Sequence, residues 1–253
     1  MNKLSVYIIT QNEEKRLPRT LQAVSQVADE IIVVDSGSTD KTEQIAKQYG
    51  ACFIPHKWIS YAHQKNFAQN KCKYDWLLSV DADEVLSPSL IQEIKQLKKI
   101  DPPYKIYTLQ VADLFPGMKY KRGTRTYKLI RLYHKDYATM KATLLTEDRI
   151  APVKNVPLGH LKAPVYHYSF LNISHQITKL NRYTDEVQKV VQKRHKHYSG
   201  IRLIFEFPRQ FFSYYFMKRY FIHGIVGFIA AMNLAYARFL KIAKAIEYER
   251  DKK

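Results

Sequence analysis

Asp81 and Asp83 stand one residue apart, directly after the apolar run Trp76-Leu77-Leu78-Ser79-Val80. A strand delivers its last side chains to the carboxyl edge of a sheet, where open α/β folds bind ligands. Asp-x-Asp at that edge offers hard oxygens to Mg²⁺ or Mn²⁺, ions that bridge one or two carboxylates to substrate phosphates. The competing reading is an acidic turn that only caps the next helix, with Asp83 or Ser87 as N-cap before Leu90-Ile91.

The elements that must position such a pair recur upstream. Leu4-Ser5-Val6-Tyr7-Ile8-Ile9-Thr10 is a nearly continuous apolar run, as expected of a strand buried on both faces. It ends at the polar Gln11-Asn12-Glu13-Glu14, and a helical pattern follows through Leu17, Leu21 and Val24. Glu30-Ile31-Ile32-Val33-Val34 then leads into Asp35-Ser36-Gly37-Ser38-Thr39-Asp40 and a helix that carries Ile45 and Ala46 and stops at Gly50. Strand, polar loop and helix with short connections predict a parallel α/β sheet. Three polar or acidic loops fall at the carboxyl ends of three strands. If Ser38 and Thr39 merely cap the next helix, the matching placement of Asp35 and Asp81 has no explanation.

Asn12-Glu13-Glu14, Val34-Asp35-Ser36-Gly37-Ser38-Thr39-Asp40 and Asp81-Ala82-Asp83-Glu84, in this order and spacing over roughly the first 100 residues, resemble family-2 glycosyltransferases of the GT-A fold. Further on, Tyr127-Lys128-Leu129-Ile130-Arg131-Leu132-Tyr133, Glu147, His167-Tyr168-Ser169 and Lys179-Leu180-Asn181-Arg182-Tyr183 are similar to one subgroup, the bacterial lipopolysaccharide inner-core β-1,4-glucosyltransferases, which add glucose to heptose. Where that subgroup carries a histidine directly before the glutamate, this chain has Thr146.

The resemblance implies a division of labour. Asp83 holds the divalent metal (Mg²⁺ or Mn²⁺), and Asp81 meets the ribose or the metal's water shell. Asp35 resembles the residue that accepts a hydrogen bond from uracil, and Thr10, Asn12 and Glu13 line the same nucleotide pocket. Lys65, in Gln64-Lys65-Asn66, matches a basic residue that reaches the diphosphate, the alternative being a solvated helix lysine. Inversion in one displacement needs a carboxylate on the acceptor side. Glu147 is the candidate, with Asp148 in reserve. His167 is a candidate for the metal shell or the acceptor, set against a packed histidine among aromatics. Arg122, Arg125, Lys128 and Arg131 form a basic cluster, read either as a solvated loop or as acceptor-binding residues for carboxylates and phosphates of a lipopolysaccharide core.

Composition fits one enzyme domain with an appendage. The chain has 253 residues, 46% of them apolar, enough for a substantial core. Cys52 and Cys72 lack CxxC spacing and suggest reduced thiols in a cytosolic setting. No charged-then-apolar leader precedes the first strand, so no secretory signal is expected. Net charge is +1 over residues 1–100, +6 over 101–159 and +11 over 160–253. The carboxyl-terminal field is aimed at something anionic, either a membrane surface, a saccharide or nucleic acid. Nucleic acid ranks last because no recognised binding motif accompanies the charge. Between Arg219 and Arg238 lie 18 residues without formal charge, interrupted by His223, Asn233, Tyr236 and two glycines. Aromatics flanked by Lys and Arg suggest an interfacial element over 205–244, with a buried helix or a true span as alternatives.

The sequence therefore predicts a GT-A α/β domain over 1–185, with a mostly parallel central sheet flanked by helices, and a basic, aromatic helical extension over 186–253. Expected partners are a UDP-sugar donor, a lipopolysaccharide core acceptor and the anionic inner face of the cytoplasmic membrane, where the protein sits peripherally. Transfer to a polyisoprenyl phosphate is the alternative within the fold. A nucleotidyltransferase would carry a long Gly-rich loop after its first strand, which is missing after Leu4–Thr10, and a non-enzymatic membrane-surface or nucleic-acid-binding protein leaves Asp35, Asp81 and Asp83 without a role.

Overall fold

The computed structural model of the chain describes residues 1, 3–144, 147–193 and 198–250, with side chains at all of these except 142–144, 147–148 and 186–193. The chain divides into two compact units, residues 1–112 with 126–167, and residues 113–125 with 168–253. The expected division near residue 185 falls inside a single helix, 173–193, because the helical pattern there runs on without a linker.

In the first unit the strands and helices alternate as β1 (Leu4–Thr10), α1 (Leu17–Val24), β2 (Glu30–Asp35), α2 (Thr42–Gln48), β3 (Cys52–Pro55), α3 (Tyr61–Lys71), β4 (Trp76–Ser79), β5 (Glu84–Leu86) and α4 (Pro88–Lys98). Then come β6 (Ile106–Asp113), β7 (Tyr127–His134), the hairpin β8 (Ala138–Leu144) and β9 (Glu147–Pro152), and β10 (Gly159–His167). Eight strands form one sheet in the order β3-β2-β1-β4-β7-β6-β10-β5. The half β3-β2-β1-β4 is parallel, while β7 runs antiparallel to β4 and to β6, and β10 antiparallel to β5. Parallel strands joined through helices bring every strand end of that half to one edge, so the loops after β1, β2 and β4 are neighbours.

Alternation along β1 supplies both faces of the core. Val6 and Ile8 join Leu17, Leu21, Val33, Leu78 and Leu90 on one side, whereas Tyr7 joins Ile32, Val34, Leu77 and Tyr133 on the other. The Tyr7 and Tyr133 hydroxyls meet at 2.8 Å, and Tyr133 donates onward to Gln69 at 2.6 Å, so this apolar layer leaves neither phenol unpaired. Burial pushes the Cys72 thiol up to about 12, and Cys52 and Cys72 are both free, as their spacing suggests.

The second unit contains 113–125 and the helices α5 (Ile173–Lys193), α6 (Gly200–Phe212) and α7 (Gly224–Arg250), with a π-helical turn at Ser213–Met217 and a 3₁₀ turn at Tyr220–His223 between the last two. Residues 220–250 are long and apolar enough to cross a membrane by length and composition alone. Within the unit, however, α5 and α6 both pack on α7, whose Ala230, Ala231, Ala235, Ile242 and Ala245 are buried. The small residues of α7 thus admit close neighbours along one side of a helix that the interfacial reading of 205–244 included.

Candidate active site

The loops after β1 and β2 are stitched together by side chains. Thr10 and Asp35 are cross-strand neighbours, and the Thr10 hydroxyl donates to Asp35 at 2.9 Å. The same buried carboxylate accepts the Gly37 and Ser38 N–H groups at 2.9 and 2.7 Å and the Ser38 hydroxyl at 2.5 Å. These four bonds fill the lone-pair sites of one carboxylate. Gly37, at φ +92°, supplies the left-handed conformation that lets the loop fold back over Asp35. Asn12 adopts φ 55°, which asparagine tolerates better than most residues, and its amide oxygen accepts the Thr39 N–H at 2.9 Å while its own N–H reaches Ser38 at 2.7 Å. Ser38 and Thr39 thus hold the two loops together and do not cap α2. The N-cap position, Lys41, makes no side-chain cap bond, and Asp40 before it accepts the Thr42 N–H at 3.0 Å.

Asp81 lies at the centre of a charged cluster. Its two oxygens are met by Lys65 Nζ at 2.8 Å, from α3, and by Arg131 Nη2 at 2.9 Å, from β7. The same Arg131 nitrogen is 2.7 Å from Glu84, and Glu84 in turn accepts the Asp81 N–H at 2.9 Å. Burial opposes ionisation of Asp81, but Arg131 and Lys65 outweigh it and hold the carboxyl well below the usual carboxylate range. Glu84 is pushed up, by burial first and also by the charge on Asp81. Lys65 is buried, so the solvated helix lysine is excluded.

Asp83 is placed differently. The Ser87 side chain accepts the Leu90 N–H at 3.2 Å and caps α4, which begins at Pro88. Asp83 is therefore not needed as a cap. One of its oxygens is 3.4 Å from His167 Nε2, at the end of β10, and the other is 3.4 Å from Arg16. Arg16 itself forks onto Glu13 at 2.5 and 2.7 Å. Burial again opposes ionisation, and His167 and Arg16 more than offset it, so Asp83 stays below its ordinary value.

The first unit thus gathers Thr10, Asn12, Glu13, Asp35, Lys65, Asp81, Asp83 and His167 at one end of its sheet. Arg131 joins them as a buried counter-ion and not as an exposed acceptor cation, because β7 turns it into the ion-pair cluster. Lys128, on the same strand, is exposed, while Arg122 and Arg125 are exposed in the second unit. The basic cluster is therefore not one loop. Glu147 and Asp148 open β9, but their side chains, and with them the expected base, lie outside the described residues. Two site residues went unassigned in the sequence: Glu84, adjacent to the Asp-x-Asp pair, and Arg16, whose i,i+3 spacing from Glu13 was the available signal.

No group of three or more His, Cys, Asp and Glu side chains is arranged to cage a metal among the described residues. A Mg²⁺ or Mn²⁺ held by one or two protein groups and by substrate phosphates needs no cage. Asp83 and His167 fit that donor set, as an oxygen and an imidazole nitrogen facing each other at the sheet's edge. Asp81 fits it less well, since both its oxygens already face cations.

Residues 5–150 match the model of glycosyl transferase family 2. An uncharacterized glycosyltransferase of Rickettsia bellii is 38% identical over 97% of this chain and 86% of its own length. The lipopolysaccharide core biosynthesis glycosyltransferase LpsC of Rhizobium meliloti is 30% identical over 95% of this chain and 91% of its own. Among solved structures, S. aureus TarS in complex with UDP-GlcNAc is similar at 16% identity and a TM-score of 0.48, covering 66% of this chain and 58% of that one.

Proposed function

Given that this chain belongs to glycosyl transferase family 2 and has its GT-A-type α/β fold, we propose that it moves glucose from UDP-glucose, with inversion, to a heptose of the lipopolysaccharide inner core at the cytoplasmic face of the inner membrane. Family membership sets aside the nucleotidyltransferase and non-enzymatic readings. The whole-length relationship to LpsC supports the choice of acceptor.

The observation that carries the reading is the unequal treatment of the two aspartates. Asp81 is neutralised by Lys65 at 2.8 Å and Arg131 at 2.9 Å, whereas Asp83 meets His167 and Arg16 only across 3.4 Å each. Asp83 and His167 would hold a divalent cation, which would supply neutralisation of the charge that develops on the leaving diphosphate. Lys65, fixed by Asp81, adds a second positive charge beside the same group. Asp35 orients the loop of Gly37 and Ser38 around the base. A hydrogen bond from uracil to Asp35 replaces the one from the Ser38 hydroxyl, the rotor among its four donors. On the acceptor side Glu147, with Asp148 in reserve, takes the heptose hydroxyl proton as the new C1–O bond forms and the bond to the diphosphate breaks. Lys128, on β7 of the first unit, is the cation offered to anionic groups of the acceptor.

The test is mass spectrometry of lipooligosaccharide from a strain lacking this chain, with glucose transfer restored by purified enzyme and UDP-glucose. A core one hexose short supports the proposal. An unchanged core, or restoration only by another nucleotide sugar, overturns it.

A further inference from the structure

α6 half-buries Leu203, Phe207 and Phe211 on one side, yet it also buries two polar side chains and exposes a second apolar face. An amphipathic helix in a water-soluble unit turns its apolar stripe inward. Here Glu206 and Gln210 are buried, bonded to each other at 2.9 Å, while Ile201, Ile204 and Phe205 are 72, 70 and 64% exposed. Phe212 continues the stripe at helical spacing, and the turn beyond it leaves Met217 and Ile225 74 and 70% exposed. Scattered apolar residues on a surface need no explanation, but a continuous face of Ile, Phe and Met does.

Cations surround this face, two of them sharing the carboxylate of Glu206. Arg202 and Arg209 flank the stripe, with Arg209 on Glu206 at 2.9 Å and still 60% exposed. Beyond the turn, none of Arg125, Lys218, Arg219 and Arg238 makes an ion pair among the described residues. Lys218 is instead set over the Tyr214 ring at 3.7 Å. Its pKa is lowered by burial and then by the charges of Arg125 and Arg238, so like charges are held close together. An apolar stripe edged by unpaired Lys and Arg complements a surface that is greasy within and anionic at its rim.

We propose that α6 and the turn after it lie in the plane of an anionic lipid leaflet, with Ile201, Ile204, Phe205, Phe212 and Met217 in the acyl boundary and Lys218 and Arg219 at the phosphate level. The segment that docks is α6, and the apolar α7 beneath it is the platform and not a span. This inference rests on the second unit's surface and is independent of the donor and acceptor proposed above.

Vesicle co-sedimentation of the full chain tests it, with phosphatidylglycerol–phosphatidylcholine vesicles against pure phosphatidylcholine. The wild type is expected to partition onto the anionic vesicles at least tenfold better. Ile204→Ser/Phe205→Ser should lower that partitioning by at least tenfold, and Lys218→Gln/Arg219→Gln should reduce the difference between the two vesicle types. Both pairs are surface changes, and thermal melting of each variant checks that it stays folded. Partitioning of the serine variant equal to wild type, or protein that stays with native membranes through alkaline carbonate, overturns the proposal in favour of a spanning α7. A concentration-dependent dimer without lipid, lost in the serine variant while vesicle binding is unchanged, overturns it in favour of a second copy on this face.

Discussion

Arg131 Nη2 lies 2.9 Å from Asp81 and 2.7 Å from Glu84, so one nitrogen from β7 ties the first aspartate of the Asp-x-Asp pair to a buried glutamate three residues on. A guanidinium placed this way acts on shape more than on net stability. Well-paired buried charges do little better than apolar substitutes, yet removing one partner strands the others.

Arg131→Met is therefore expected to destabilise the fold by about 3–5 kcal/mol, the scale for an uncompensated buried charge. Arg131→Lys should recover only part of this, because an ammonium cannot reproduce the fork. Urea unfolding measures both, and a Met variant as stable as wild type contradicts the role given to Arg131.

Asp83→Asn is expected to weaken Mn²⁺·UDP binding by at least roughly tenfold, about 1.4 kcal/mol, with little change in melting temperature. Ser87→Ala supplies the contrast. Loss of the α4 cap should cost about 1 kcal/mol of stability and leave UDP affinity alone. Calorimetry and thermal melting separate the two, and unchanged Mn²⁺·UDP affinity in Asp83→Asn rules out Asp83 as a ligand.

Glu147→Gln keeps size and hydrogen bonding but cannot take a proton. Turnover should fall by roughly 10²–10⁴ while donor affinity stays near wild type. Wild-type-like turnover moves the role to Asp148.

Acid provides a fourth check. Asp81 is held below its unfolded value of about 3.9, so its contribution is fully present above that pH and is lost as pH falls toward the folded value. The stability margin of wild type over Asp81→Asn, read by urea unfolding, should be flat from pH 7 to 5 and narrow below about pH 4. Glu84 has the opposite sign. Its raised pKa makes the folded state gain as pH falls through that value, so Glu84→Gln should cost least near neutral pH and more in acid. A margin for Asp81→Asn that grows on acidification contradicts the cluster.

The parallel half of the sheet was legible because each of its strands announces itself twice, by an apolar run and by the polar loop that follows. Asp35, Asp81 and Asp83 fell at the strand ends for that reason. The pairing between them was not legible. Nothing in the spacing of Lys65, Arg131 and Glu84 tells that α3 and β7 bring two cations onto the Asp81 carboxylate and that Glu84 shares Arg131, because that proximity is set by the order of strands in the sheet. Capping was half-legible: Ser87, one of the two residues considered, caps α4, whereas Ser38 and Thr39 bond between loops and leave α2 without a side-chain cap. The tail misled in a different way. The uncharged run drew the eye to α7, whereas exposure picks out the outer face of α6, and hydropathy alone does not tell which apolar face has a neighbour.

The brief departure of 113–125 from the first unit sets how the protein can be taken apart. Phe115 meets Phe170 and Tyr220 with ring centroids 5.4 and 5.8 Å away, and Lys121 donates to the Ile222 carbonyl at 3.0 Å. The chain thus commits a dozen residues to a core whose remaining pieces are synthesised more than forty residues later, and returns to finish the sheet meanwhile. Cutting after His167 does not yield a free-standing catalytic half, because Phe115 and Lys121 are left without their partners. During translation, the sheet can close while that segment still waits for α6 and α7, which makes the last third of the chain a condition for a finished enzyme and not a detachable tail.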